Sequence, residues 1–179
     1  MTYDINGAIR RIPHHPKPGI LFYDLMPLFE SPAGLAACVD GIAAWARPRR
    51  VDVVLGAEAR GFILGGAIAR SLDAGIACAR KPGKLPYEVI RREYDLEYGT
   101  DVLEVHRDAI RPGQRVLVHD DLLATGGTAA AKCQLVEELG GVVAGVAVVV
   151  ELTFLPGRER LAGYDVMALV AYDSEAVVE

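Results

Sequence analysis

An α/β fold, with a mainly parallel sheet flanked by helices, is what this sequence predicts, and three observations predict it. Apolar runs of strand length recur at 51–55, 116–119 and 142–150, and the last shows no polar alternation, as in a sheet covered on both faces. Stretches with helical spacing separate these runs, the alternation that builds parallel sheets. Two of the strands run into glycine-containing turns that open directly into helices, and such turns gather at the carboxyl edge of an open sheet. A chain of 179 residues is long enough for one domain with a proper core, so residues 1–179 are expected to form one unit.

Composition narrows the function classes. Half the residues are hydrophobic and few are aromatic, as in closely packed α/β layers. The net charge of −5 argues against general binding to nucleic acid or to an anionic membrane. Cys38, Cys78 and Cys133 are widely spaced, with no CxxC pair, and read as small buried residues in a reducing compartment. No stretch approaches the roughly 20 apolar residues that span a bilayer. The expected location is the cytoplasm.

In chain order, residues 1–32 read as irregular, because Pro13, Pro16, Pro18 and Gly19 forbid a continuous helix. Ile20, Leu21 and Phe22 suggest a short strand or an extended edge, and His14-His15 beside prolines reads as a solvated pair with no third ligand in view. Over 33–47, Leu35, Val39, Ile42 and Trp45 or Ala46 recur at helical spacing until Pro48 stops the pattern. A strand at 51–55 leads through Gly56 to Gly61 into a helix from about Phe62, and 75–79 is the next short strand. Residues 83–101 lack a 3.6 period and mix charge with tyrosine, which predicts a two-strand hairpin with Tyr94, Leu96 and Tyr98 on one face. A turn at 108–114 feeds the strand at 116–119. A helix follows Thr128 and stops at Gly140-Gly141, and strands at 142–150 and 165–172 complete the sheet.

Chemistry concentrates in three loops. Asp120 and Asp121 end the 116–119 strand, and Ala124, Thr125, Gly126, Gly127 and Thr128 follow as a turn of small residues. Such a turn lets backbone N–H groups converge on one phosphate, and the helix beginning beyond it adds partial positive charge. Carboxylates cannot hold the phosphate, but they suit sugar hydroxyls or a divalent cation. The turn has no Lys for a Walker loop and lacks the GxGxxG spacing of a dinucleotide fold. In the second turn Arg60 can meet a diphosphate with several donors, or form a surface pair of small energetic worth with Glu58. Arg80, Lys81 and Lys84, punctuated by Pro82 and Gly83, suit an anion in a loop and equally a solvated basic turn.

DDLLATGGT, residues 120–128, resembles the ribose-phosphate signature of the type I phosphoribosyltransferases, in the form that the adenine-using members carry. The resemblance extends through PKPG near the N-terminus, the RGF of the Arg60 turn, RKPGKLP, LEYG and ELT, and so covers nearly the whole chain. It implies the fold of that family, with residues 1–32 as a hood over the purine and 83–101 as a flexible catalytic loop. The 5-phosphate falls to residues 124–128, and the diphosphate to Arg60, Arg80, Lys81 and Lys84, in part across a homodimer interface. Phe22 would stack on the base, backbone groups of Leu21 and Tyr23 would read its polar edge, and Leu122 would complete the purine site. Glu97 and Tyr98 take the catalytic roles of the loop, alongside Arg60, Asp120 and Asp121. Mg²⁺ would be bound mainly through the substrate, with Asp120 and Asp121 as its nearest carboxylates. The implied reaction joins adenine to 5-phosphoribosyl 1-diphosphate, giving AMP and diphosphate in purine salvage.

On local pattern alone, Phe22 is equally a core aromatic, and 94–98 equally a cross-strand ladder. Two departures from the family pattern stand out. Tyr23 replaces the usual Arg after the Phe, and His119 occupies a position that is usually apolar. The alternatives are a same-fold enzyme for another purine and a non-catalytic sensor of phosphoribosyl diphosphate.

Overall fold

The computed structural model describes residues 3–95 and 99–174. Its centre is a five-stranded, wholly parallel sheet built from β3 (Val53–Ala57), β4 (Gly75–Ala79), β7 (Arg115–Leu123), β8 (Val142–Leu152) and β9 (Val166–Tyr172). The strand order is β4-β3-β7-β8-β9. Ahead of it lie α1 (Ile5–Ala8), an antiparallel pair β1 (Arg10–Pro13) and β2 (Leu21–Asp24), and α2 (Met26–Glu30). Two helices, α3 (Pro32–Ala46) and α4 (Arg60–Leu72), frame β3, and an antiparallel hairpin of β5 (Val89–Asp95) and β6 (Thr100–His106) precedes β7. The last helices are α5 (Gly127–Glu138) and the single turn α6 (Gly157–Arg160).

The central strands explain the apolar runs. Successive residues of β7 face opposite sides, and both sides are covered. Val116 and Val118 pack with Leu55, Leu135 and Val136 on the side of α5 and the hairpin. Leu117 packs with Val54, Ile42, Leu64 and Ile68 on the side of α3 and α4. Both faces of β8 are covered from Ala144 to Val150, so that run shows no polar alternation. Helix α3 starts where Ser31 accepts a hydrogen bond from Gly34 N (3.2 Å) and Pro32 takes the first turn, where its missing N–H costs nothing.

The chain leaves β3 toward β4 on one side and returns to β7 on the other. The carboxyl ends of β3 and β7 therefore part at a switch point, where open sheets hold ligands. Three expectations need correction. Residues 3–32 are more regular than expected: the strand foreseen at 20–22 is β2, but it has a partner in β1, with Ile12 paired to Phe22, and Tyr23, Leu25 and Leu28 join the core. Strand β7 does not stop before the acids, because its pairing with β8 continues through Leu122↔Val150 and Leu123↔Glu151. The hairpin lies later than 83–101, with Val89 paired to His106, and Leu96, Glu97 and Tyr98 lie outside the described residues.

Candidate active site

A cleft of about 350 Å³ opens at the switch point. The whole turn Ala124 to Thr128 lines it, together with Arg60, Lys81, Asp120, Asp121 and Leu122. Two turns far apart in sequence thus face one small volume, as a ligand with two anionic ends requires.

The turn owes its shape to two glycines. Gly126 has φ +81°, a conformation that L side chains rarely adopt, and a Cβ there would stand 2.7 Å from the Gly157 carbonyl oxygen. A Cβ on Gly157 would stand 2.2 Å from the Ala124 carbonyl oxygen. Helix α6 is therefore the floor of the turn. It is tied to β8 by a two-pronged ion pair in which Arg158 Nε donates to Glu151 Oε1 (2.7 Å) and Arg158 Nη2 to Oε2. Helix α5 begins at Gly127, inside the turn and earlier than expected, so its first N–H groups open into the cleft.

The two acids have unlike surroundings. Asp121 is nearly buried, and Arg60 Nε stands 2.8 Å from its Oδ2, at an angle too poor for a good hydrogen bond. Burial, reinforced by the charge on Asp120, pushes its pKa up to about 6 against the pull of Arg60. Burial would raise Asp120 as well, but the charge and hydrogen bond of Lys132 outweigh it and hold that carboxyl below its usual range. Lys132 reaches up from α5, wholly buried, and Nζ donates to Asp120 Oδ2 (2.8 Å) and to the His119 carbonyl (2.6 Å). His119 is equally buried. Its Nδ1–H donates to the Ala147 carbonyl (2.9 Å), and burial first, with Lys132 adding to it, lowers its pKa to about 4.

The remaining candidates divide. Glu58 does not pair with Arg60. It accepts from Arg80 Nη2 (2.9 Å) and from the Lys81 N–H, and so organises the basic loop. Arg80 also donates to the Lys84 carbonyl (3.3 Å), and neither Arg80 nor Lys84 lines the cleft. Lys81 lines it and pairs with Asp101 of β6, whose Oδ2 also accepts from the Tyr94 hydroxyl (3.1 Å). Phe22 stands beside the site, its ring centre 5.8 Å from the Arg60 guanidinium carbon. Tyr23 turns its side chain away from any hood and stacks on Tyr172 in the core, ring centres 4.1 Å apart. Leu21 is half-buried beside it.

Asp120 and Asp121 are a poor cage for a metal ion. Each has one oxygen beside a cationic side chain, and among the described residues no three His, Cys, Asp or Glu side chains are grouped to hold a metal. Sequence reasoning missed Lys132, Tyr94, Asp101 and Gly157. The only signal was a lone Lys in the small-residue stretch 129–133, and lysines on helices are usually exposed.

Comparison with known proteins agrees with this geometry. Residues 29–166 match the model of the phosphoribosyl transferase domain. The adenine phosphoribosyltransferase of Solibacter usitatus is 55% identical over 170 residues, covering 95% of this chain and 98% of that one. The crystal structure of adenine phosphoribosyltransferase from Thermoanaerobacter pseudethanolicus superposes with a TM-score of 0.91 at 46% identity, covering 94% and 98% of the two chains. The Saccharomyces cerevisiae enzyme, solved with an imino-altritol bisphosphate and adenine, gives 0.88 at 36% identity over 92% and 96%. The match over residues 29–166, with relatives this similar over nearly the whole chain, shows that the chain belongs to the phosphoribosyl transferase domain family.

Proposed function

We propose that this chain is an adenine phosphoribosyltransferase, moving ribose 5-phosphate from 5-phosphoribosyl 1-diphosphate to N9 of adenine and releasing AMP and diphosphate, a purine-salvage reaction. The observation that carries this reading is the convergence of the 124–128 turn, Arg60 and the acid pair on one cleft of about 350 Å³. Adenine as the acceptor is supported by the relatives described above, which are named adenine phosphoribosyltransferases.

In the mechanism, the turn and the first N–H groups of α5 hold the 5-phosphate. Cleavage of the anomeric bond builds positive charge on the ribose ring while the diphosphate leaves. Asp120 and Asp121 stand where the ribose hydroxyls and that charge develop, and their fixed negative charge favours the cationic ring. Arg60 and Lys81 face the leaving group, and Arg80 and Lys84 reach it by movement of the basic loop. Mg²⁺, held mainly by the diphosphate itself, would neutralise part of the leaving group's charge. Lys81 must exchange Asp101 for the diphosphate, so the hairpin and the basic loop respond together to substrate. Glu97 serves as proton partner of the purine and Tyr98 helps to close the loop, excluding water that would otherwise take the ribosyl group. We place the enzyme in the cytoplasm as a homodimer. No helix among the described residues is long and apolar enough to cross a membrane.

The test is a steady-state assay offering adenine, guanine, hypoxanthine and xanthine with phosphoribosyl diphosphate and Mg²⁺. Adenine-dependent diphosphate release is expected to dominate. Release with a different purine would move the assignment within the fold, and no release with any base would end it. The acid pair also sets a pH dependence. Ionised Asp121 is the active form, and it takes a proton below about pH 6. The kcat/KM for phosphoribosyl diphosphate should therefore fall about tenfold per pH unit below that point, since this ratio reports the free enzyme. A profile flat down to pH 5 would remove Asp121 from the chemistry.

A further inference from the structure

Lys132 has no part in that mechanism, yet burying it is costly. An ammonium with none of its surface exposed has lost its water, and an apolar side chain of similar length would fill the same space without that loss. Its described hydrogen bonds are two, both to β7: the His119 carbonyl at 2.6 Å and Asp120 Oδ2 at 2.8 Å. The second oxygen of Asp120 accepts from the Asp121 N–H at 3.1 Å and lies 3.1 Å from where a Cβ on Gly61 would stand. The carboxylate is thus gripped between α5 below and the start of α4 above, while it lines the cleft. We propose that Lys132 is a positioning residue for the transfer reaction, holding Asp120 ionised and in one orientation so that the acid pair always presents at least one negative charge to the ribose.

Among the described residues, the surroundings leave this task to Lys132 alone. From α4, Arg60 addresses Asp121. From β8, the residue in register with Asp120 is apolar Val148, and β3 brings Gly56 opposite His119. His119, adjacent on β7, stays neutral at pH 7 because its burial outweighs the pull of the Asp120 charge. The other charged groups of the cleft, Glu58, Lys81 and Asp101, pair among themselves and with the basic loop. Two adjacent carboxyls without a dedicated cation would share protons near neutrality, as like charges at close range do. With Lys132 in place the proton goes to Asp121 only.

This inference rests on the transfer reading, and its test has one arm that needs no turnover. Lys132→Met keeps the length and removes the charge. In wild type, log kcat/KM for phosphoribosyl diphosphate is expected to fall with a slope of one below about pH 6. In the variant the acid limb should move upward and steepen toward a slope of two, leaving about a tenth or less of the wild-type value at pH 6 and recovering toward it above pH 8. A limb unchanged in position and slope, or a loss of equal size at every pH, would mean that Lys132 only packs, and the proposal would fail. If the variant does not fold, carboxyl ¹³C NMR of the wild-type protein without substrates decides, with Asp120→Asn supplying the assignment. Asp121 should titrate near 6 while Asp120 stays ionised to the acid end of the folded range. Joint titration of the pair, or the reverse order, would overturn the proposal even if the enzyme proves active on adenine.

Discussion

Asp121→Asn is expected to lower kcat by about 10²–10³ while making the protein harder to melt at pH 8. The loss follows from removing a fixed charge aimed at a developing cation, an interaction of about that worth where water is excluded. The gain follows from linkage. In the folded chain the carboxyl titrates near 6, against a reference value of 3.8, so between about pH 4 and pH 6 the folded state binds more protons than the unfolded one. Stability therefore falls as pH rises through that window, and the deficit persists above it. Raising the carboxyl from 3.8 to about 6 corresponds to roughly 3 kcal/mol, which for a chain of this size is on the order of 5–10 °C in Tm. Asn fills nearly the same volume without a charge to desolvate. Arg60 loses its pair, but its side chain is 40% exposed and water replaces the partner. Thermal melts at pH 8 and pH 4 beside steady-state turnover check both signs. Turnover near wild type would take Asp121 out of the mechanism. A variant melting lower than wild type at pH 8 would show that the ionised carboxylate does not weaken the fold.

That opposition between activity and stability also separates what could be read from residues in order from what could not. Strand β8 was legible because burial on both faces leaves nine apolar residues in a row, and the phosphate turn because a run of small residues just two leucines beyond paired acids serves few other purposes. Both signals are local. Of the short hairpin β1–β2 only the second strand was legible, since prolines in and between the strands point to a loop, while the pairing Ile12↔Phe22 is set by what they pack upon. Tyr23 stands out in the sequence as a replacement for the family's Arg, yet its ring belongs to the core because β2 turns that face toward Tyr172. Lys132 was hidden for the strongest reason. A lysine in a helix is ordinarily solvated, and only the alignment of α5 beneath the end of β7 places its ammonium against Asp120.

Gly157→Ala is expected to reduce kcat/KM for phosphoribosyl diphosphate about 100-fold, although residue 157 is not among those lining the cleft. The added methyl would sit 2.2 Å from the Ala124 carbonyl oxygen and 3.0 Å from Leu123 Cγ. Neither side can yield cheaply. Leu123 belongs to the core, and α6 is held to β8 by the Arg158–Glu151 pair, with Glu151 itself buried. The turn must move instead, and its displacement shifts the 5-phosphate and with it the anomeric carbon relative to the acids. Misplacement by about 1 Å is enough for a loss of that order. Overpacking of this kind costs about 1–3 kcal/mol, so the variant should still fold, with Tm lower by several degrees. Gly163→Ala separates the two effects. Gly163 has φ +99° and nothing within 4 Å of an added Cβ, so its substitution strains the backbone away from the site. It should lower Tm and leave kcat/KM unchanged. Equal kinetic losses in the two variants would point to general destabilisation, and unaltered kinetics in Gly157→Ala would mean that α6 does not support the phosphate turn.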